Sequence, residues 1–147
     1  MSSRVQFGGE SVDWKMAFGS FAQMVLSLDS CIEWVVLEEA SHEPRWAWRD
    51  AQTGGIRVGT INNPPFVDPL LLMIAESRDD AYAEETFADP HRLLFVVLAY
   101  ADFVQIVVRF GISTHVSIAA PPGSNSYDLG RKLTTLLDRY TQGSLVH

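Results

Sequence analysis

LLFVVLAYADFVQIVVRFGISTHVSIAA, residues 93–120, sets the fold class of this chain. Its first nine residues, 93–101, are apolar or aromatic at every position, as expected of a strand covered on both faces. We therefore expect a central strand there. Residues 103–110 form a second, nearly continuous strand, residues 111–114 a hairpin turn, and residues 115–120 a third strand. Asp102, Gln105 and Arg109 interrupt the longest apolar run. A membrane-crossing helix needs about 20 mostly apolar residues, so the segment is a set of strands and not a transmembrane span.

Towards the C-terminus, Pro121 to Ser126 is a loop offering caps at Ser124, Asn125 and Ser126. Leu129, Leu133, Leu136, Leu137 and Tyr140 then recur at helical spacing, with Gly143 placed for a C-terminal cap. Towards the N-terminus, Asp89-Pro90 stops whatever precedes the strands. Pro64-Pro65 holds the chain extended, and a helix is expected after it, capped by Asp68 with Pro69 in its first turn. Residues 70–74 are five consecutive apolar side chains, which one face of a single helix cannot hide, so part of this segment should meet another subunit. A homodimer is the expected assembly. Residues 76–89 carry six acids and one arginine, the pattern of a solvated face or of a landing surface for a basic partner.

The first third of the chain repeats the helix-then-strands order. Ser11 or Asp13 can cap a helix with Trp14, Phe18, Phe21, Val25 and Leu28 on one face. Cys31 to Leu37 is a strand by its β-branched and aromatic content, and residues 38–44 form a polar turn. In Arg45-Trp46-Ala47-Trp48-Arg49 the alternation puts both tryptophans on one face and both arginines on the other. The tryptophans are expected to pack against a helix, leaving the arginine face wet. Gly54-Gly55 closes this strand, and a short strand over residues 56–61 continues the meander. The expected fold is α+β, in the order α-β-β-α-β-β-β-α. It comprises a three-layer single domain with an ordered core over residues 11–141, and a central, mostly antiparallel five-stranded sheet with helices on both faces.

Composition narrows the function classes. A chain of 147 residues with 47% hydrophobic side chains can bury its own core without disulfides or metal. Eighteen acids against eleven bases give a formal charge of −7, which disfavours nucleic acid and anionic membranes as partners. One cysteine cannot form an internal disulfide, and the N-terminus lacks the charged, apolar and small-residue parts of a signal peptide; the cytoplasm is the expected compartment. Cys31 has no local signature pairing it with a base, so a buried thiol is the preferred reading over a nucleophile. Glu38, Glu39, His42 and Glu43 are metal-ligand types in a turn, yet without a second histidine at helical spacing they make no metal site. Neither Gly54-Gly55 nor Gly123 opens a phosphate cradle. No catalytic residue, cofactor or metal is expected.

The element order, together with FAQMVLSLDSCIEWVVLEEA (residues 21–40) and HVSIAAPPGSNSYDLGRKLTTLL (residues 115–137), resembles the roadblock/LC7 family, whose fold is profilin- and longin-like. The likeness spans roughly residues 14–141. The turn after Leu37 lacks the Asp-x-x-Gly of many members, and the strand over residues 56–61 is additional. The resemblance implies a non-enzymatic homo- or heterodimer that pairs a central helix and a sheet edge across a two-fold axis. It also implies a role in regulating or scaffolding small Ras-like GTPases. On that basis Leu70, Leu71 and Ile74 of the central helix, and Leu93, Phe95 and Val97 of the following strand, are the expected dimer or partner interface. A different class, a small acidic secretion-chaperone-like dimer, would bind an extended client segment instead of a folded domain.

Overall fold

In the computed structural model the described residues are 14–39, 43–60, 93–110 and 114–140. Six strands form one antiparallel sheet: β1 (Trp34–Glu39), β2 (Arg45–Arg49), β3 (Ile56–Thr60), β4 (Val96–Ala99), β5 (Val104–Phe110) and β6 (Thr114–Ala120). Their order is β3-β2-β1-β6-β5-β4, so two three-stranded meanders meet where β1 pairs with β6. Two helices are described, α1 (Trp14–Leu26) and α2 (Ser126–Asp138).

The sheet has six strands and not the expected five, because β3 pairs with β2 along its whole length. The turn between them explains the full register. The Asp50 carboxylate accepts from the Gln52 amide at 2.8 Å. The Asp50 amide donates to the Gly55 carbonyl at 2.8 Å. Gly54 takes a φ of 75°, a left-handed conformation that glycine adopts without steric cost. The expected central strand over residues 93–101 is corrected more sharply. Only Val96–Ala99 is strand, and it is the last strand of the sheet, with no further strand on its outer side among the described residues. An apolar run reports that both faces are covered or awaiting cover, and does not report position within a sheet.

Both described helices lie on one face. Phe18, Phe21, Ala22, Val25 and Leu26 of α1 join Leu129, Leu133, Leu136 and Leu137 of α2 in a single core. From the sheet, Val35 and Leu37 of β1, Ala47 of β2, Val104, Ile106 and Val108 of β5, and Val116, Ile118 and Ala120 of β6 enter the same core. Burying a leucine or phenylalanine side chain contributes about 1.5–3 kcal/mol, so this cluster is the main stabilising unit among the described residues. On the other face Val36, Gln105, Val107, Ser117 and Ala119 are buried as well. The central helix expected after Asp68, and with it the expected third layer, lies outside the described residues.

β2 reverses one expectation. Its tryptophans do point away from its arginines, but it is the arginine face that lies under α1, because Arg45 pairs in register with Leu37 and Arg49 with Ile56, both on the helix side. Arg45 is only 6% exposed. Its guanidinium sits 4.5 Å from the centre of the Trp14 ring at the start of α1, within range of a cation–π attraction. Arg49 reaches the opposite end of α1, where it donates to the carbonyls of Leu26, Ile32 (2.9 Å) and Asp29 (3.3 Å). Carbonyls at a helix C-terminus lack internal partners and carry partial negative charge, so a cation satisfies both needs. One strand thus grips α1 at both ends.

The first strand also starts later than the expected Cys31. The Cys31 amide bonds the Asp29 carboxylate at 3.0 Å and the Ile32 amide the Asp29 carbonyl at 3.2 Å, holding a turn through Ile32. Sheet bonding begins at Glu33, whose amide donates to the Ala119 carbonyl at 2.8 Å. α2 begins as its sequence indicates. The Asn125 side chain accepts from the Asp128 amide at 3.0 Å, and Asp128 adds negative charge to the first turn.

Candidate interaction surfaces

The predicted interface residues divide into two groups. Leu70, Leu71 and Ile74 lie outside the described residues. Leu93, Phe95 and Val97 lie along or just before β4, and all three are partly or well exposed. Val97, paired with Ile106 on the helix-side face, is 40% exposed, and Tyr100 just beyond the strand is 38% exposed. Phe95 has turned inward: its ring lies edge-on to Tyr127 at 5.6 Å between centroids and covers Gly130 of α2. Val97 is thus the exposed side chain of β4, whose outer side meets no further strand among the described residues, while Phe95 ties the strand to α2.

Cys31 lies half-buried beside Asp29. Burial, followed by a hydrogen bond to the Asp29 carboxylate, pushes its thiol above the usual range, so less thiolate forms at neutral pH than in a free cysteine. Asp29 is held below the usual carboxylate range, first by the Cys31 amide, then by the Cys31 thiol and by Lys132. Lys132 bridges Asp29 at 3.3 Å and Asp128 at 3.1 Å, and its ammonium is correspondingly favoured, chiefly by Asp128. The arrangement latches α2 to the α1–β1 turn. Nothing local in the sequence pairs Asp29 with Lys132, which are 103 residues apart.

On the sheet face away from α1 and α2, Trp46 and Trp48 stack with centroids 4.2 Å apart. They lie on the face opposite α1 and α2, and the central helix expected after Asp68, the other helix they could pack against, lies outside the described residues. The aromatic band continues through Trp34 to Phe103 (6.0 Å) and Tyr100 (4.7 Å from Phe103). Further along the same face, Glu38, His115 and Arg109 sit in one register row across β1, β6 and β5. Burial raises the Glu38 pKa and the neighbouring His115 partly opposes this. Glu38 and Glu39 belong to β1 and His42 lies outside the described residues; no three His, Cys, Asp or Glu side chains converge on a metal position among the described residues. No helix among the described residues is long and apolar enough to cross a membrane.

No family model matches the chain, and no curated protein is significantly similar to it. Solved structures do match. A roadblock/LC7 domain from Streptomyces avermitilis is 14% identical, with 84% of this chain and 94% of that one covered and a TM-score of 0.45. MglC from Myxococcus xanthus is 8% identical, with 86% and 98% covered and a TM-score of 0.45. MglB from the same organism is 10% identical, with 95% and 97% covered and a TM-score of 0.48. Identities and scores this low add no weight to the fold beyond that of the strand order itself. The described elements agree with the order that the roadblock/LC7 resemblance implies on either side of its central helix, with β3 added, and that helix lies outside the described residues.

Proposed function

We propose that the chain is a non-enzymatic dimeric module that regulates or scaffolds a folded switch protein, a small Ras-like GTPase being the class that the family resemblance implies. The observation that carries this reading is the outer side of β4, which meets no further strand among the described residues. A strand that ends a sheet presents unpaired backbone donors and acceptors, and natural proteins usually blunt such an edge with charge, proline or a bulge. β4 reads Val-Val-Leu-Ala, with no charge and no proline, and carries the exposed Val97. Pairing with the same strand of a second copy would satisfy that edge. The apolar residues Leu70, Leu71 and Ile74 are assigned to the same interface on the family resemblance, and the compartment to the cytoplasm on the single, unpaired cysteine.

Titration calorimetry tests the functional half of this reading. A purified small Ras-like GTPase, loaded with GDP or with a non-hydrolysable GTP analogue, is expected to bind the protein with different affinities in its two states. The competing secretion-chaperone-like reading predicts binding to an extended, unfolded client and to neither nucleotide state of the GTPase. That second pattern would reject the regulatory reading.

A further inference from the structure

A cleft of about 320 Å³ opens between α2 and the end of α1, lined by Leu28, Arg131, Lys132, Thr135, Leu136 and Arg139. Its chemistry is unlike that of the chain as a whole. The protein carries 18 acids and 11 bases, yet three of those bases and none of the acids line this one cleft. The five α2 residues fall at positions i, i+1, i+4, i+5 and i+8, a single stripe of the helix. Arg131 and Arg139 stand eight residues apart, about 12 Å along the axis. Between them lie the Thr135 hydroxyl and, below it, the buried Leu136, with Leu28 as the facing wall. Asp29 and Asp128 hold Lys132 from outside the lining, which fixes the lysine at one side.

We propose that this cleft docks a short acidic segment of a protein partner, with an apolar side chain placed between two carboxylates. The apolar floor takes the side chain and the two guanidinium groups take the carboxylates, for which their planar forks are matched. A spacing of about 12 Å corresponds to roughly four residues of extended chain. The volume, at the lower end for ligand pockets, suits one or two side chains. Charge also selects the occupant: a bilayer or duplex would present anionic charge to the whole of a protein of formal charge −7, whereas a short segment presents it to the cleft alone. The proposal is independent of the dimer reading, since the cleft lies on the α1 side of α2 and β4 is not part of it.

The probe is a fluorescein-labelled peptide, SGEELEELGS, with SGQQLQQLGS as its neutral counterpart, followed by fluorescence anisotropy on the full chain. The acidic peptide should bind roughly tenfold or more tightly than the neutral one, and added salt should weaken it. Arg131→Glu with Arg139→Glu should weaken binding about tenfold, while Lys15→Glu with Arg57→Glu, the same change of charge elsewhere, should leave it within about twofold. Thermal melts identify any variant that fails to fold; for such a variant, Arg131→Gln with Arg139→Gln replaces the reversal and should also weaken binding. Equal weakening by both charge-reversed pairs, equal binding of the two peptides, no binding at millimolar peptide, or preference for phosphatidylserine vesicles over the peptide would each overturn the proposal.

Discussion

Among the described glycines, Gly130 is the position where a single methyl group should be felt most. It is buried on α2, and a Cβ built on it would lie 2.5 Å from Cε1 of Phe95 and 2.6 Å from Cδ1 and Cζ. Carbon atoms prefer about 3.5–4.0 Å, so in Gly130→Ala the ring must retreat by about 1 Å. Tyr127 stands edge-on to that ring, and the backbone at Phe95 leads directly into β4, so retreat disturbs both. Overpacking of this kind costs about 1–3 kcal/mol. Against it, alanine is favoured over glycine in a helix interior by about 1 kcal/mol. The net expectation is a loss of about 0–2 kcal/mol, or up to a few degrees in the thermal midpoint for a chain of this size. Urea unfolding of Gly130→Ala, Phe95→Leu and the double variant measures it. In the Phe95→Leu background the clash is relieved, so Gly130→Ala should become neutral or stabilising by up to about 1 kcal/mol, giving a clear coupling energy between the two sites. If Gly130→Ala stabilises the wild type, or if the two changes are additive, the ring does not lie over the glycine and the attachment of β4 to α2 is wrongly described.

Other perturbations probe separate parts of the structure. Leu133 is fully buried, and Leu133→Ala should destabilise by about 2–5 kcal/mol in urea unfolding, the usual range for such a leucine. A loss no larger than that of an ordinary surface substitution, about 0.5 kcal/mol, would mean that α2 is not docked. Arg49→Met keeps the aliphatic stem but removes the donors at the end of α1. It should cost about 1.5–3 kcal/mol, with the first amide protections lost by hydrogen exchange being those of the last turn of α1. Asp29 has a lowered pKa in the folded state, so its stabilising effect is present above the ordinary carboxylate range and lost as pH falls below about 4. Asp29→Asn should accordingly flatten the acid limb of the stability profile. Glu38 has a raised pKa, so its ionised form weakens the fold as pH rises from the ordinary value through the raised one. Glu38→Gln should be no less stable than wild type at neutral pH, and any advantage should vanish below about pH 4.

The parts of the fold most legible in the sequence are those whose signals are local. α2 is readable because its leucines recur at helical spacing and Asn125 stands at its start; β5 and β6 are readable because a β-rich run is broken once by a turn. Expectation fails where the deciding partner is distant in sequence. Alternation in residues 45–49 separates arginines from tryptophans but cannot say which set faces α1, and the answer depends on Trp14 and on the carbonyls of Leu26, Asp29 and Ile32. A continuous apolar run suggests a central strand, whereas β4 is terminal among the described residues, with Phe95 anchored on Gly130 and Val97 left exposed. The cleft beside α2 is invisible in the sequence for the same reason: Leu28 and Arg131 are neighbours only in the folded chain. Of the interface residues expected from sequence, the structure describes Leu93, Phe95 and Val97, and Val97 is the one most available to a second chain.

The claim on which the functional account rests is that the outer side of β4, terminal among the described strands, is an interface between copies, and the mass of the protein in solution tests it most directly. Light scattering coupled to size exclusion, at micromolar concentration, should give about twice the 16.4 kDa of one chain. That mass should fall to one chain's when Val97→Lys places a charge on the strand. A wild-type particle of 16.4 kDa across the micromolar range would contradict the account.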